Sequence, residues 1–382
     1  MRCIRRHPFR SAGALLALSL LLTLGISAEA RFLLQAGWTE ARILLGRQPI
    51  HELIADPATS PERQAQLELV LAARSFAARQ LGLRAGNTYT TFSDVGEGPL
   101  LHVLSASRQD RLEAYRWTYP VVGSIPYKGF FDEQAALAEK RRLERAGYDT
   151  YLRQASAFST LGWFSDPLLS TALGDPADLA STVIHEISHN TLWVPSAARF
   201  NESYANFVGL RGAEAFFLSR GDRQAADRCA ALWRDEKRLG AFYTELAERL
   251  ESLYAEDLPA RERERRRADL FARARAVMMG PLDRSLEVYS GKAMSRRGLN
   301  NAVVVAQRIY RTGLEDFDQI HAASGEDLRS SVSEIRRTVH LARLSRVDDP
   351  FRALAAKVQL VSRSGKGGGR LPAGGAVPAR KG

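Results

Sequence analysis

The chain has 382 residues, of which 45% are hydrophobic, 8% aromatic and 25% charged, and this composition excludes a mainly disordered protein. Two cysteines exclude both a disulfide scaffold and a zinc module with four thiolate ligands. The formal net charge is +11, but four arginines in the first ten residues and five basic residues in the last twenty supply nine of these charges. Since +11 less nine leaves +2 for residues 11–362, no general nucleic-acid surface is indicated.

The first thirty residues have the pattern of an export or anchoring segment. Basic residues between positions 2 and 10 precede an uncharged stretch from Ala12 to Ala28, and the Ala-Glu-Ala at 28–30 fits a signal-peptidase site. The stretch is at the lower length limit for crossing a bilayer, so residues 1–30 are interpreted as a signal peptide or as an N-terminal membrane anchor. The positive-inside rule predicts an exported protein in both cases, either periplasmic or anchored to the inner membrane and facing the periplasm.

Helical periodicity dominates the segment that follows. The first predicted helix, Pro61–Leu83, places apolar residues at helical spacing, with Ser60 as N-cap and Gly86 beyond its end. The other predicted helices outside the motif region described below are, in chain order, Phe131–Ala146, Asn201–Leu218, Gln224–Tyr254, Pro259–Met279, Asn300–Ala322 and Leu328–Leu344.

Strand-like sequence is confined to residues of about 87–165. Four runs rich in Thr, Tyr, Val and Leu are bounded by turn residues, and they are Asn87–Phe92, Leu100–Ser105, Trp117–Val122 and Tyr148–Phe158. The predicted fold class is therefore α+β, predominantly α-helical, with a small antiparallel sheet beside the helix that carries the chemistry. We expect one domain over residues 31–345 and a disordered basic tail, rich in Gly, Pro and Ala, over residues 346–382.

The chemistry-bearing motif is HExxH, formed by His185, Glu186 and His189. On a helix, residues four apart project from one face, so the two imidazoles can bind the same metal ion. Glu186 then reaches beside the metal, where it can take a proton from water. Two histidines at helical spacing can also be ordinary surface residues, but the apolar residues around the motif indicate a helix with a buried side, which Asp175 or Asp178 can cap.

A third ligand is expected because catalytic zinc takes three protein ligands and keeps one position open. Glu202 is the best candidate, since it follows His189 by thirteen residues and begins a second helical segment after a break at residues 194–196. A helix–turn–helix would bring it opposite the histidines. The pattern HExxHxxGxxH is excluded because Leu192 and Pro195 occupy its Gly and His positions.

HEISH followed by the NESYA of residues 201–205 resembles the HExxH…NExxA arrangement of the gluzincin zinc peptidases. More closely, the chain resembles a bacterial family of predicted zinc aminopeptidases, whose members carry HExxH, then VP, then FNESFAxFVG. The similarity covers about residues 30–345 and includes the stretches 121–131, 148–171 and 300–302. The resemblance implies a metallopeptidase with one Zn²⁺ per chain, with His185, His189 and Glu202 as ligands and Glu186 as general base.

Further residues are candidates for supporting roles. Tyr310 is a candidate donor to the negative charge that develops in the transition state, and Asn206, one helical turn after Glu202, is a candidate hydrogen-bond partner of a ligand histidine. Gly162 and Trp163 lie in a segment that is a candidate edge strand for pairing with an extended peptide substrate. Packing or helix capping is the alternative interpretation of each.

The expected function is that of a zinc-dependent peptidase, and an aminopeptidase by resemblance, although no residue is identifiable as the partner of a substrate's free amine. Two alternatives stay open: a catalytically inactive peptide-binding module, and an amidase or related hydrolase that uses the same metal triad. The expected partner is a peptide substrate and not a nucleic acid, membrane association through the N-terminal segment is compatible with the sequence, and the oligomeric state is not indicated.

Overall fold

The structure of the protein is a computed structural model, and it describes residues 37–39, 41–96, 101–119, 123–155 and 167–366. The export segment expected at residues 1–30 lies outside these ranges. Within the described ranges, no helix combines the length and the apolar character that crossing a bilayer requires.

Helices make up most of the described chain, which confirms the predominantly helical α+β class. The helices are α1 Ile50–Ala55, α2 Pro61–Arg79, α3 Glu133–Arg145, α4 Pro176–His189, α5 Ala198–Ser219, α6 Arg223–Ala255, α7 Ala260–Val277, α8 Asp283–Ser285, α9 Gly291–Arg296, α10 Asn301–Tyr310, α11 Leu314–Ala323, α12 Leu328–Leu344 and α13 Pro350–Lys366. The strands are β1 Gln48–Pro49, β2 Thr91–Ser93, β3 Leu101–Arg108, β4 Trp117–Tyr119, β5 Gly123–Ile125, β6 Tyr127–Phe130, β7 Tyr148–Ala155 and β8 Leu168–Leu169.

Side-chain caps fix the starts of several helices where the sequence predicts them. The Ser60 hydroxyl accepts a hydrogen bond from the backbone N–H of Arg63 at the start of α2, at 3.3 Å. Asp175 accepts from the N–H of Ala177 at 3.0 Å and caps α4, the helix of the HExxH motif. These bonds satisfy N–H groups that have no partner within the helix, so they define its first turn.

The strands form three small sheets rather than one. The order β6–β3–β7 is antiparallel throughout, and β4 and β5 form a separate antiparallel pair. In the third sheet, of order β1–β2–β8, β2 pairs antiparallel with β1 but parallel with β8. The antiparallel arrangement predicted from the sequence therefore holds for every described pairing except β2–β8, and both β1 and β8 lie outside the predicted window of residues 87–165.

Two hydrophobic cores place the sheets relative to the HExxH helix. Phe92 and Leu168, from the sheet β1–β2–β8, share the main core with Val183 and Ile187 of α4, so this sheet lies beside the motif. The sheet β6–β3–β7 packs one face on α3 and the other face on α10. Helix α10 also packs on α5, and it therefore connects the second sheet with the helix that carries Glu202.

The single helix predicted over Asn300–Ala322 is wrong, because the structure forms two helices there, α10 and α11. Gly313 between them has φ +63°, a left-handed conformation that L residues with a side chain rarely adopt. A Cβ atom at this position would lie 2.8 Å from the ring of Phe351. The chain therefore turns at Gly313, and the apolar periodicity on either side belongs to two helices with different directions.

The disordered tail predicted from residue 346 is wrong for its first part, because Pro350–Lys366 forms helix α13. Leu354 is fully buried in the main core, and the ring of Phe351 contacts that of Phe200 with 5.5 Å between centroids. Apolar residues at helical spacing outweigh the Gly-rich composition that follows them, since burying them stabilises the helix. Residues 367–382 lie outside the described ranges.

Candidate metal centre

The two histidines of HExxH lie on one face of α4, as the helical spacing predicts. Their ring centroids are 5.0 Å apart and their ring planes are nearly perpendicular, at 83°. The opposite side of the helix is anchored in the main core, where Val183, Ile184 and Ile187 are fully buried. The buried side fixes the rotation of α4 about its axis, so it also fixes the direction in which both imidazoles point.

Helix α5 crosses α4 very closely at this point, because two glycines of α5 face it. A Cβ atom at Gly209 would lie 2.8 Å from the carbonyl oxygen of Ser181 and 3.0 Å from the Cβ of His185. A Cβ at Gly212 would lie 2.8 Å from a methyl carbon of Ile184. Any larger residue would force the helices apart, so these glycines set the separation between the histidines and the first turns of α5.

The connection between α4 and α5 is held by Asn201, whose side chain is almost completely buried. Its Oδ1 accepts from the N–H of Val194 at 2.9 Å, and its Nδ2 donates to the carbonyl of the same residue at 2.8 Å. This two-way bond closes the connecting loop onto the first turn of α5. It thereby fixes the backbone next to Glu202.

Glu202 reaches both histidines, as predicted. The distance from Glu202 Oε2 to His185 Nε2 is 3.4 Å, and that from Oε1 to His189 Nε2 is 3.8 Å. One ligand atom from each of the three residues lies within 4.8 Å of the other two. Ligand atoms around a tetrahedral zinc ion are separated by about 3.3–3.6 Å, since each lies about 2.0–2.2 Å from the metal. The donor set therefore fits a catalytic zinc site, and the two distances from Glu202 to the histidines are close to the spacing that such a site requires.

The charges in the triad also favour a bound cation. Burial by itself raises the pKa of Glu202, but its hydrogen bond to His185 and the positive charges of His185 and Arg153 outweigh burial, so the pKa is lowered and the carboxylate stays ionised. Burial, followed by repulsion from His185, lowers the pKa of His189 to about 4, which keeps this imidazole neutral. The nitrogen of His189 that faces Glu202 is Nε2. The other ring nitrogen, Nδ1, is buried and has no hydrogen-bond partner among the described residues.

His185 carries a further electrostatic signal. Burial by itself lowers its pKa, but the hydrogen bond to Glu202 and the negative charges of Glu186 and Glu202 outweigh burial, so the pKa is raised. The surroundings of His185 Nε2 therefore attract positive charge. This result also places the carboxylate of Glu186 close to the triad, where the HExxH motif predicts the general base.

Tyr310, the last residue of α10, lies next to the helix that carries Glu202. Burial raises the pKa of its hydroxyl, and the negative charges of Glu202 and Glu186 raise it further. The hydroxyl therefore stays protonated and is available as a hydrogen-bond donor. This position is compatible with the role predicted for Tyr310, which is to donate to negative charge that develops on a substrate oxygen.

Asn206 has a different role from the one predicted. Its Nδ2 donates to Glu236 Oε2 at 2.9 Å and to the carbonyl of Tyr310 at 3.4 Å, and the described residues show no bond from it to either ligand histidine. Ser203, one turn before it, accepts from the N–H of Thr312 at 3.1 Å. Both side chains hold the end of α10 against α5, so they position Tyr310 relative to Glu202.

Two residues missed by the sequence analysis lie beside the centre. Tyr127 of β6 is 39% exposed, yet burial of its hydroxyl and the charge of Glu202 raise its pKa. The positive charge of Arg153 on β7 lowers the pKa values of Glu202, Tyr127 and Tyr310. Both residues fall within stretches that carry the family resemblance, 121–131 and 148–171, and this was the one signal available for them.

The structure offers Trp193 as a candidate substrate contact, whereas the segment predicted for this role lies outside the described residues. Gly162 and Trp163 lie in the range 156–166, outside the described residues. Trp193, just after α4, has its ring centroid 5.5 Å from that of His189 and is 48% exposed. An exposed indole against a ligand imidazole offers an apolar surface at the mouth of the centre.

Comparison with known protein families gives a match over most of the chain. The family model described as "Putative aminopeptidase" matches residues 31–348, which is most of the chain. No curated protein matches the sequence, and no solved structure matches the chain.

Proposed function

The chain belongs to the "Putative aminopeptidase" family, and we propose that it is a zinc-dependent aminopeptidase. In this proposal His185, His189 and Glu202 bind one Zn²⁺ ion per chain, and Glu186 is the general base. The observation that carries the proposal is the convergence of two imidazoles and one carboxylate, at 3.4 and 3.8 Å, from two helices in close contact.

A zinc ion at this centre would lower the pKa of a bound water from 15.7 toward about 7 and polarise the scissile carbonyl. Glu186 accepts a proton from the attacking water and later donates it to the nitrogen of the leaving amine. Tyr310 donates a hydrogen bond to the carbonyl oxygen as negative charge develops on it. The raised pKa of Tyr310 suits this role, because a deprotonated tyrosine would have no proton to donate.

One of the two alternatives explains less of the centre. A peptide-binding module with a structural metal has no use for a carboxylate beside the triad, whereas the charge of Glu186 acts on both His185 and Tyr310. An amidase of another substrate class shares the triad and the base, so it differs from a peptidase only in substrate.

The proposal is tested by Glu186→Gln, a change of nearly the same size and shape. The expected kcat falls about 10²–10⁴-fold on a panel of short peptides, because the proton acceptor is lost, while bound zinc stays at one per chain. The matched control is Asp178→Asn, which makes the same chemical change two turns earlier on α4 and should keep full activity. Zinc binding without peptide hydrolysis by the wild type would favour the binding module, and hydrolysis of non-peptide amides alone would favour the amidase.

We also propose that the protein is exported and acts in the periplasm or at the outer face of the inner membrane. The support is the basic and apolar pattern of residues 1–30. Fractionation of cells that express the full chain, with sequencing of the mature N-terminus, distinguishes cleavage after Ala30 from retention of the segment as an anchor.

A further inference from the structure

Arg153 lies on the face of the sheet β6–β3–β7 that is directed toward α10. Across this sheet, Arg153 is aligned with Val103 and Gly129, and Tyr151 is aligned with Ser105 and Tyr127. Residues that are directly opposite in an antiparallel pair point to the same side, and so do residues two apart along a strand. Because Tyr151 packs in a core with residues of α10, the side chains of Arg153 and Tyr127 are directed to that side as well.

The side chain of Arg153 therefore lies on the same side of the sheet as α10, whose last residue is Tyr310. The charge of Arg153 acts on Glu202, on Tyr127 and on Tyr310, which are contributed by three different elements. A single positive charge close to all three residues explains why the pKa of each is lowered by Arg153. Arg153 is half-buried, so its charge is not dispersed in bulk water.

Arg153 differs from other arginines around this sheet in its partners. Arg267 pairs with Asp149 at the start of β7, and Arg108 pairs with Asp110 beyond the end of β3. Within the described ranges, the side chain of Arg153 makes neither a hydrogen bond nor an ion pair, so the fold does not use its guanidinium donors there. A half-buried guanidinium with unused donors beside a catalytic cluster is suited to binding an anionic group of a ligand.

A peptide with an unmodified C-terminus supplies such a group. Its terminal carboxylate is ionised at neutral pH, and an arginine binds a carboxylate through two parallel hydrogen bonds.

We propose that Arg153 binds the free C-terminal carboxylate of the substrate, so that the enzyme acts on short peptides. The inference rests on the proposed peptidase function and names its substrate class. An extended peptide spans about 3.3–3.6 Å per residue. A carboxylate bound on the side of the sheet that adjoins Tyr310 is therefore only a few residues from the scissile bond, which predicts dipeptides, tripeptides and tetrapeptides as substrates.

The first test measures hydrolysis of leucine-initiated peptides of two to six residues, each with a free C-terminal carboxylate and as its carboxamide. At the best length, we expect the wild type to prefer the free acid about 10–100-fold in kcat/KM, as a charge-assisted pair requires. Arg153→Gln should lower this preference to less than about threefold, and Arg153→Lys should keep part of it. Arg108→Gln removes the same charge from the far end of the sheet and should keep the wild-type preference.

The second test separates this inference from the peptidase function. Calorimetric titration of zinc-loaded Glu186→Gln with Leu-Phe-Ala and with its carboxamide measures binding without turnover. We expect the free acid to bind about 10–100-fold more tightly, and the difference to vanish in Glu186→Gln/Arg153→Gln.

The outcomes are distinct. If the free acid binds more tightly through Arg153 but the wild type hydrolyses no peptide, the peptidase function is wrong and the carboxylate site stands. If peptides are hydrolysed but no length shows the preference, or Arg153→Gln retains it, the carboxylate site is wrong. Equal loss of acid and amide hydrolysis in Arg153→Gln also contradicts the carboxylate site. The same conclusion follows if either peptide fails to bind Glu186→Gln.

Discussion

The two sides of the centre are built in different ways. On the helix side, α4 and α5 are held in close contact by Gly209 and Gly212, and the loop between them is closed by the buried Asn201. The opposite side, which we call the strand-side wall, consists of Tyr127, Arg153 and Tyr310, whose side chains are half-buried or exposed. Under the proposed function, this difference corresponds to a division of work, in which the helix side holds the metal ligands and the strand-side wall contacts the substrate.

The division predicts that a change in the strand-side wall alters turnover and leaves metal binding intact. Tyr310→Phe removes one hydroxyl and should lower kcat about 10²–10³-fold, as the loss of a donor to a developing oxyanion does. Zinc content and the free energy of unfolding should stay at the wild-type values. Tyr115→Phe, on the other face of the sheet, is the matched control for activity. Loss of zinc in Tyr310→Phe would contradict the division.

A change in the helix side should instead affect stability and the metal together. Asn201→Ala leaves the buried N–H and C=O of Val194 without partners, and we expect the free energy of unfolding to fall by about 2–4 kcal/mol. Zinc affinity should fall as well, because the backbone next to Glu202 is released. Chemical denaturation and zinc titration measure the two effects. Asn190→Ala, which removes one exposed hydrogen bond to Thr88, should change neither the free energy of unfolding nor the zinc affinity.

The glycine contact gives a smaller effect of the same kind. Gly209→Ala places a Cβ against the backbone carbonyl of Ser181, so α4 and α5 must shift apart at a cost of about 1–3 kcal/mol. We expect weaker zinc binding at unchanged secondary structure by circular dichroism. Gly174→Ala, where no atom lies within 4 Å of the added Cβ, is the control. Wild-type zinc affinity in Gly209→Ala would show that the separation of the helices does not set the ligand geometry.

The smallest effect is expected at Trp193, which lies at the mouth of the centre. Trp193→Ala should raise KM for peptides with apolar side chains by no more than about 10-fold, since about half of the indole surface is already exposed. Zinc content should not change. Steady-state kinetics with leucine- and lysine-initiated peptides measures the effect, and an equal change for both would exclude an apolar contact with the first side chain.

The sequence predicts the helix side well because its signals are local. Three signals lie within thirty residues of one another: the HExxH spacing, the cap at Asp175 and the break before Glu202. Helical periodicity then gives the direction of each side chain around its helix axis. Asn206 marks the limit of this reasoning. Periodicity places it on the same face as Glu202, but its partner Glu236 belongs to α6, whose position depends on tertiary packing.

The strand-side wall was missed because its residues meet only through sheet register and helix packing. Arg153 and Tyr127 are separated by α3, and nothing in a single strand shows which face is directed toward Glu202. The helix predicted over residues 300–322 and the tail predicted from residue 346 were wrong for a related reason. The turn at Gly313 and the helix that contains Leu354 contact each other, since Phe351 packs against Gly313. Composition alone does not reveal such a contact.

The central claim is that two imidazoles and one carboxylate bind a single zinc ion between α4 and α5. X-ray absorption at the zinc edge of the purified protein, with zinc content measured on the same sample, tests it most directly. We predict one zinc per chain, with two imidazole nitrogens and oxygen ligands at about 2.0–2.2 Å, and loss of stoichiometric zinc in Glu202→Ala. A site with sulfur ligands or fewer than two imidazoles, or full zinc retention by Glu202→Ala, would contradict it.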